Sequence, residues 1–243
     1  MDLSLRTTLP AGAVFVVFSD GTAPPGIRPP EQYLACKAFT SHEPAEAVGL
    51  SFRAPSDEGE IRVYLNSPRL VRPRALFGRL KVNLSPASAP RLQVSETDEH
   101  QLKVCLENCE VRPLQVSNAA PATSSPAATV PVTLTLSTPM QAGAVFIEWS
   151  GAEDAHAMAG RAFIEHLPAE PIELHIEVPV GPGAFTVSLS SGDARRAHVS
   201  APIRTTLSPG ATPRLTAVEP ARKPGDEHPP MLQFSLEGAP RSL

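Results

Sequence analysis

The sequence predicts an all-β chain made of two tandem β-sandwich domains of the immunoglobulin or transthyretin-like type. Three observations carry that expectation. Proline is abundant, 28 of 243 residues, and it works against long helices because it lacks an N–H and clashes inside them. Short runs alternate apolar and polar with period two: Leu102, Val104 and Leu106 against Lys103, Cys105 and Glu107, and Ile61, Val63 and Leu65 against Arg62, Tyr64 and Asn66. The chain also repeats itself.

Four blocks recur in the same order. Leu3–Phe15 matches Leu134–Phe146, sharing Ala-Gly-Ala-Val-Phe. Ala38-Phe39 with His42–Glu46 matches Ala162-Phe163 with His166–Glu170, and Val63–Leu65 matches Val187–Leu189 in the same register. Leu84–Pro86 with Pro90–Leu92 matches Leu207–Pro209 with Pro213–Leu215. Leu102–Glu107 matches Leu232–Glu237. Blocks kept in order with drifting spacing mean two homologous units that differ in loop length. The predicted organisation is a first sandwich over 1–117, a Pro/Ala/Ser linker over 118–131 and a second sandwich over 132–243. The linker segment is small, uncharged and proline-containing, so it reads as a flexible, semi-extended connection.

Strands in the first unit are predicted near 2–6, 13–18, 33–39, 47–53, 60–66, 79–84, 90–94 and 102–106, with Pro-Gly, Asp-Gly and Ser-Pro steps between them. Ala11–Phe18 and Ala142–Trp149 are the expected central strands, with Val14, Phe15, Val63 and Leu65, and Val145, Phe146, Val187 and Leu189, as core. Hydrophobic residues make up 42 % and aromatics 5 %, so there is enough apolar material for a core, and it must be mostly aliphatic.

Composition also excludes classes of function. A formal net charge of −4 argues against a general nucleic-acid binder. No run of 18 apolar residues exists, so no helical membrane span is predicted. Met1–Arg6 lacks the basic and apolar regions of a secretion leader. The chain is therefore expected in the cytoplasm, or in the periplasm or cell envelope if a leader was removed. Cys36, Cys105 and Cys109 are too few for a disulfide framework and odd in number. Isolated thiols are expected, with a Cys36 bridge as the alternative.

The strand Pro10-Ala-Gly-Ala-Val-Phe-Val-Val-Phe18, the apolar strand ending near Phe39, the His-x-Pro-Ala-Glu segment, and the strands at Val48–Phe52 and Ile61–Leu65 together resemble the periplasmic β-domain of a cytochrome c biogenesis factor. The same domain type occurs in stand-alone bacterial envelope lipoproteins. Leu167-Pro168 fits the family's Leu-Pro step. Phe77-Gly78 occupies its Gly-Asp position without the Asp, and the family's Ala-Arg after the first core strand is absent. The resemblance implies a non-enzymatic domain that holds other proteins.

The residues themselves predict no catalytic residue, no cofactor and no metal site. None of the seven histidines lies in a zinc spacing. His42 and His166 occupy equivalent positions, as expected of residues that pack or cap a turn. Glu173, His175 and Glu177 alternate with Ile172, Leu174 and Ile176, which makes them a solvated sheet face and not a converging carboxylate set. No Gly-x-Ser-x-Gly elbow or phosphate loop occurs.

Charge distribution supplies the one candidate contact surface. From Ile61 to Ser95 there is no acid, but Arg62, Arg69, Arg72, Arg74, Arg79, Lys81 and Arg91 are basic; from Phe185 to Val218 the sole acid is Asp193. Arg69, Arg72 and Arg74, with Arg195 and Arg196 in the second unit, are the interaction candidates. Solvated loops that protect sheet edges account for such charge; so does a bivalent docking surface for an acidic protein, an anionic lipid or a polyanion. The expected function is a non-catalytic structural or protein-interaction module of a bacterial protein, holding or spacing partners. The alternative is a small-ligand or carbohydrate-binding sandwich, disfavoured by one Trp and two Tyr. The expected partner is another protein, an acidic one by charge, and not nucleic acid.

Overall fold

The structure, a computed structural model, describes residues 1–19, 32–53, 58–68, 76–83, 91–97, 101–107, 128–152, 155–193, 195–219 and 232–239. All regular structure among them is β. Strands β1 (Asp2–Arg6), β2 (Gly12–Ser19), β3 (Gln32–Phe39), β4 (Val48–Ser51), β5 (Glu58–Asn66), β6 (Leu76–Asn83), β7 (Arg91–Glu96) and β8 (Leu102–Glu107) make two sheets, ordered β4-β1-β7-β8 and β3-β2-β5-β6. Strands β9 (Thr129–Ser137), β10 (Gly143–Gly151), β11 (His156–Phe163), β12 (Ile172–Pro179), β13 (Gly181–Ser191), β14 (Ala197–Val199), β15 (Ile203–Leu207), β16 (Arg214–Val218) and β17 (Gln233–Glu237) make two more, β12-β9-β16-β17 and β11-β10-β13-β14, with β15 also on β13. The pairing order of the first set recurs in the second, except that two short strands stand where β6 stands.

Strand one pairs in parallel with strand seven, Leu3 opposite Leu92 and Leu5 opposite Val94, and β9 pairs likewise with β16. An immunoglobulin sandwich instead joins its first strand to its second. Of the two predicted types, the transthyretin-like one remains.

Alternation places each core. On β1, Leu3 and Leu5 are buried, with Asp2 and Arg6 exposed and Ser4 half-buried between them; on β12 the pattern is Ile172, Leu174, Ile176 and Val178 inward and Glu173, His175 and Glu177 outward. Leu3, Leu5, Val14, Val16, Phe18, Ile61, Val63 and Leu65 lie in the first core. Leu134, Val145, Ile147, Trp149, Phe185, Val187 and Leu189 lie in the second, where the Trp149 and Phe185 rings pack 4.5 Å apart. Burying one such side chain contributes about 1.5–3 kcal/mol.

Two sequence expectations change here. The linker was placed over 118–131, but β9 begins at Thr129, with Val130 fully buried and paired to Val178. Pro131 is tolerated in this strand because β16 joins β9 only from Thr133 onward, so no partner on that side needs its missing N–H. Residues 118–127 lie outside the described residues. The second change concerns independence. The sequence reading has two sandwiches on a tether, each with only its own core, but a third apolar cluster joins them: Ala13, Phe15, Val17 and Tyr64 from the first, Ala144 and Phe146 from the second. Phe15 and Phe146, expected in the sandwich interiors, face this seam. Both faces of β2 are thereby buried, and for that reason Gly12–Ser19 is buried throughout.

Candidate functional site: a groove at the seam

At one edge of the seam the two sandwiches enclose an open groove of about 710 Å³. The first sandwich supplies Gln32 and Tyr33 from the start of β3. The second supplies Pro139, Gln141 and Ala142 from the turn before β10, Glu165 from the turn after β11, and Ser191, Asp193, Arg195 and Arg196 from the turn between β13 and β14.

Local chemistry fixes these walls. The 191–196 turn is closed by the Ser191 N–H donating to Arg196 O (2.8 Å) and by the Arg196 N–H donating to Ser191 Oγ (3.0 Å). Asp193 Oδ1 accepts from Ser191 Oγ (2.8 Å) and from the Arg195 N–H (3.2 Å), and its Oδ2 lies 3.2 Å from Arg195 Nε. The turn is tied to the other sandwich by Asn66 Nδ2, which donates to Ser191 O at 2.9 Å. Tyr33 stands edge-on to Phe15, ring centres 6.1 Å apart. A Cβ on Gly192 would come within 2.6 Å of the Tyr33 ring, so only glycine lets that ring lie against the turn. Glu165 takes φ 57°, and Ser41 in the corresponding turn takes 56°.

Behind the turn lies a closed polar cluster. His198 Nε2 is 3.2 Å from Glu219 Oε1, both side chains about 5 % exposed, and Thr138 Oγ1 donates to Glu219 Oε2 at 2.5 Å. Burial by itself would raise the Glu219 carboxyl, but the close His198 ring, the Thr138 hydroxyl and the positive charges of His198 and Arg196 outweigh it and hold it below the usual carboxylate range. Thr7 and Glu96 form the corresponding contact in the first sandwich (3.2 Å). Glu219 receives a hydroxyl and an imidazole and presents no nucleophile to a base, so the cluster works as a latch tying β14 to the ends of β9 and β16.

Of the predicted contact residues, Arg195 and Arg196 are brought together in the groove, both exposed; Arg69, Arg72 and Arg74 lie outside the described residues. The arginines do not make a purely basic patch, because Asp193 and Glu165 share the same groove. His42 and His166 cap equivalent turns: their N–H groups donate to Pro10 O (2.8 Å) and Gln141 O (2.9 Å), and their rings pack on Phe39 and Phe163 at 5.4 and 5.3 Å. Cys36 and Cys105 are free thiols, and burial pushes the Cys36 thiol up to about 11. Among the described residues, no three His, Cys, Asp or Glu side chains cluster as metal ligands would, and no helix is long and apolar enough to cross a membrane.

Gln32, Tyr33, Gln141 and Glu165 also line the groove, and nothing in their local sequence marks them as wall residues. The available signal was the unbroken apolar run Gly12–Phe18: a strand without alternation needs a second cover, and where two sheets meet, their end turns meet too.

No family model and no curated protein matches the chain. Among solved structures it is similar to CBMbc, a family CBM26 module of Eubacterium rectale Amy13K crystallised with maltoheptaose, at 11 % identity and TM-score 0.24 over 98 % of this chain and 97 % of that one. It is also similar to a "putative cell adhesion protein" from Bacteroides ovatus, at 6 % identity and TM-score 0.32 over 100 % of this chain and 98 % of that one.

Proposed function

We propose that the chain is a non-catalytic binding module: two sandwiches locked face to face that hold a partner in the groove along their seam. The observation that supports this is the shared wall. Tyr33 of one sandwich lies against Gly192 of the other, and Asn66 fixes the turn that carries Arg195 and Arg196. Contact loops held by a rigid scaffold are the usual placement for recognition. The leading partner is another protein engaging the Arg195 and Arg196 rim, a role in keeping with the strand pattern shared with envelope β-domains that hold proteins, and in the periplasm or envelope if a leader is removed. A groove of about 710 Å³ also has the size of a small-ligand site, which favours ligand or glycan binding as the second reading.

Filling the groove tests the proposal. Gln141 is exposed and holds its neighbours through its backbone carbonyl, so Gln141→Trp should block the groove and leave the unfolding midpoint in place. Protein and glycan arrays should show at least one ligand retained by the parent chain and lost by this variant. If every retained ligand survives the block, the binding face lies elsewhere.

A further inference from the structure

We infer that the groove is a subsite for an uncharged, polyhydroxylated ligand, a neutral oligosaccharide chain. This rests on the second, ligand-binding form of the binding-module reading, takes the groove itself from a protein partner, and adds the chemistry of the ligand.

The charge of the wall decides first. Asp193 and Glu165 oppose Arg195 and Arg196, so the wall is formally neutral among the described residues. Asp193 already lies against Arg195 at 3.2 Å, and Arg196 acts electrostatically on the buried Glu219. A polyanion would meet Glu165 and Asp193 beside the two arginines, and a polycation would meet two guanidinium groups beside the two carboxylates. Neither finds a complementary field.

Hydrogen-bonding capacity decides next. Carboxylates only accept, guanidinium groups only donate, and the amides of Gln32 and Gln141 do both. Within one groove these call for a ligand whose every polar group can donate and accept. Hydroxyl groups do that, and adjacent hydroxyls on a sugar ring can bridge a carboxylate and a guanidinium. Hydrogen bonds to charged groups are the stronger kind.

Shape agrees. The groove is open, and its volume of about 710 Å³ accommodates a short run of sugar rings, so a chain can pass through. Tyr33 is a half-buried wall residue held edge-on to Phe15 and against Gly192, and its ring adds fixed apolar surface to the groove. With Tyr33 the one aromatic among the described wall residues, each contact is weak, and polymeric ligands are the sensitive probe.

The test is affinity electrophoresis of the full chain in gels containing a linear α-glucan, a mixed-linkage β-glucan or xylan, and in parallel gels containing polygalacturonate or poly-glutamate. The expected result is retardation by at least one neutral polymer, persisting at about 0.5 M salt, where exposed charge pairs are screened. Glu165→Ala and Arg196→Ala should each weaken it about tenfold, the scale of one charge-assisted hydrogen bond, with the native circular dichroism retained. Retardation by the polyanions alone, abolished by salt, would overturn the inference and return the groove to an acidic partner. If that polyanion binding is lost in Gln141→Trp, the binding-module reading survives while the sugar reading fails. Retardation by no polymer, or by a neutral polymer with no effect of either alanine, overturns the inference as well.

Discussion

Phe15→Ala tests whether the seam makes one body of the two sandwiches. Phe15 is fully buried, and its ring lies outside the first sandwich core, among Ala13, Val17, Tyr64, Ala144 and Phe146. Truncating a buried phenylalanine costs about 3–5 kcal/mol, and here the cavity opens between the sandwiches. Two reporters separate a seam effect from a core effect. Cys36 is directly opposite Phe15 across β2 and β3, with its thiol raised from 9.0 to about 11 by burial. A two-unit rise leaves about a hundredfold less thiolate at neutral pH, and the thiolate is the reactive form. Opening the seam should therefore speed Cys36 labelling by up to about two orders of magnitude, in a background where Cys105 and Cys109 are serine. The single Trp, Trp149, is buried in the second core, so its fluorescence follows the second sandwich. In Phe15→Ala the Trp149 transition in urea should shift along with the first sandwich. An unchanged midpoint together with unchanged Cys36 labelling would refute the seam as described.

Three other perturbations address other links. Gly192→Ala places a Cβ about where the Tyr33 ring is, 2.6 Å from Cε1; it should cost about 1–3 kcal/mol, as overpacking does, and Tyr33→Ala should relieve it, both read by urea denaturation. Glu219 has a folded pKa below its unfolded one, so its carboxylate contributes stability above the unfolded value that is lost as pH falls through the folded value; Glu219→Gln should be less stable at neutral pH and show a flatter acid limb, and an identical acid limb would contradict the latch. Trp149→Ala, which removes a fully buried ring packed on Phe185, should cost about 3–5 kcal/mol as measured by circular dichroism on urea titration, and a loss below 1 kcal/mol would show that the second core does not close around it.

Alternation made most of the strands legible. The predicted 2–6, 33–39 and 102–106 correspond to Asp2–Arg6, Gln32–Phe39 and Leu102–Glu107, because strands buried on one face write period two into the sequence. The solvated face of Glu173, His175 and Glu177 was read the same way and is found so. What alternation hides is a second cover. Ala13, Phe15 and Val17 belong to one period and Val14, Val16 and Phe18 to the other, and both are apolar, so the run marks a central strand without saying that another sandwich lies over it. The groove was less legible still. Its residues come from four separated segments, and only the packing of β2's sheet against β10's sheet brings Tyr33 beside Gly192. Arg195 and Arg196 stood out by charge, whereas Glu165 stood among other acids and Gln141 carried no signal.

The seam is unequal, and the inequality predicts how the halves behave apart. By strand register Phe15 pairs with Tyr64 on β5 and Phe146 with Ser188 on β13, while Val17 and Glu148 occupy the next outward positions on β2 and β10. The first sandwich thus contributes Ala13, Phe15, Val17 and Tyr64 to the seam, all at or below 7 % exposure, where the second contributes Ala144 and Phe146 with the partly buried Met158, Ala162 and Ile164, beside Glu148, whose Oε1 lies 2.8 Å from His156 Nε2. Separated, the first sandwich bares a contiguous apolar face, the kind of patch that drives association. The second bares one with fewer fully buried side chains, edged by Glu148, and two copies meeting there would have to bury Glu148 against itself, a repulsive element that discourages self-pairing. Cut before Ala128 so that β9 stays whole, the second half should sediment as a monomer, and residues 1–117 should self-associate with rising concentration. Phe15→Ser in that fragment should restore the monomer. Monomeric behaviour of the unaltered first half at all concentrations would mean that Phe15, Val17 and Tyr64 do not form the face described.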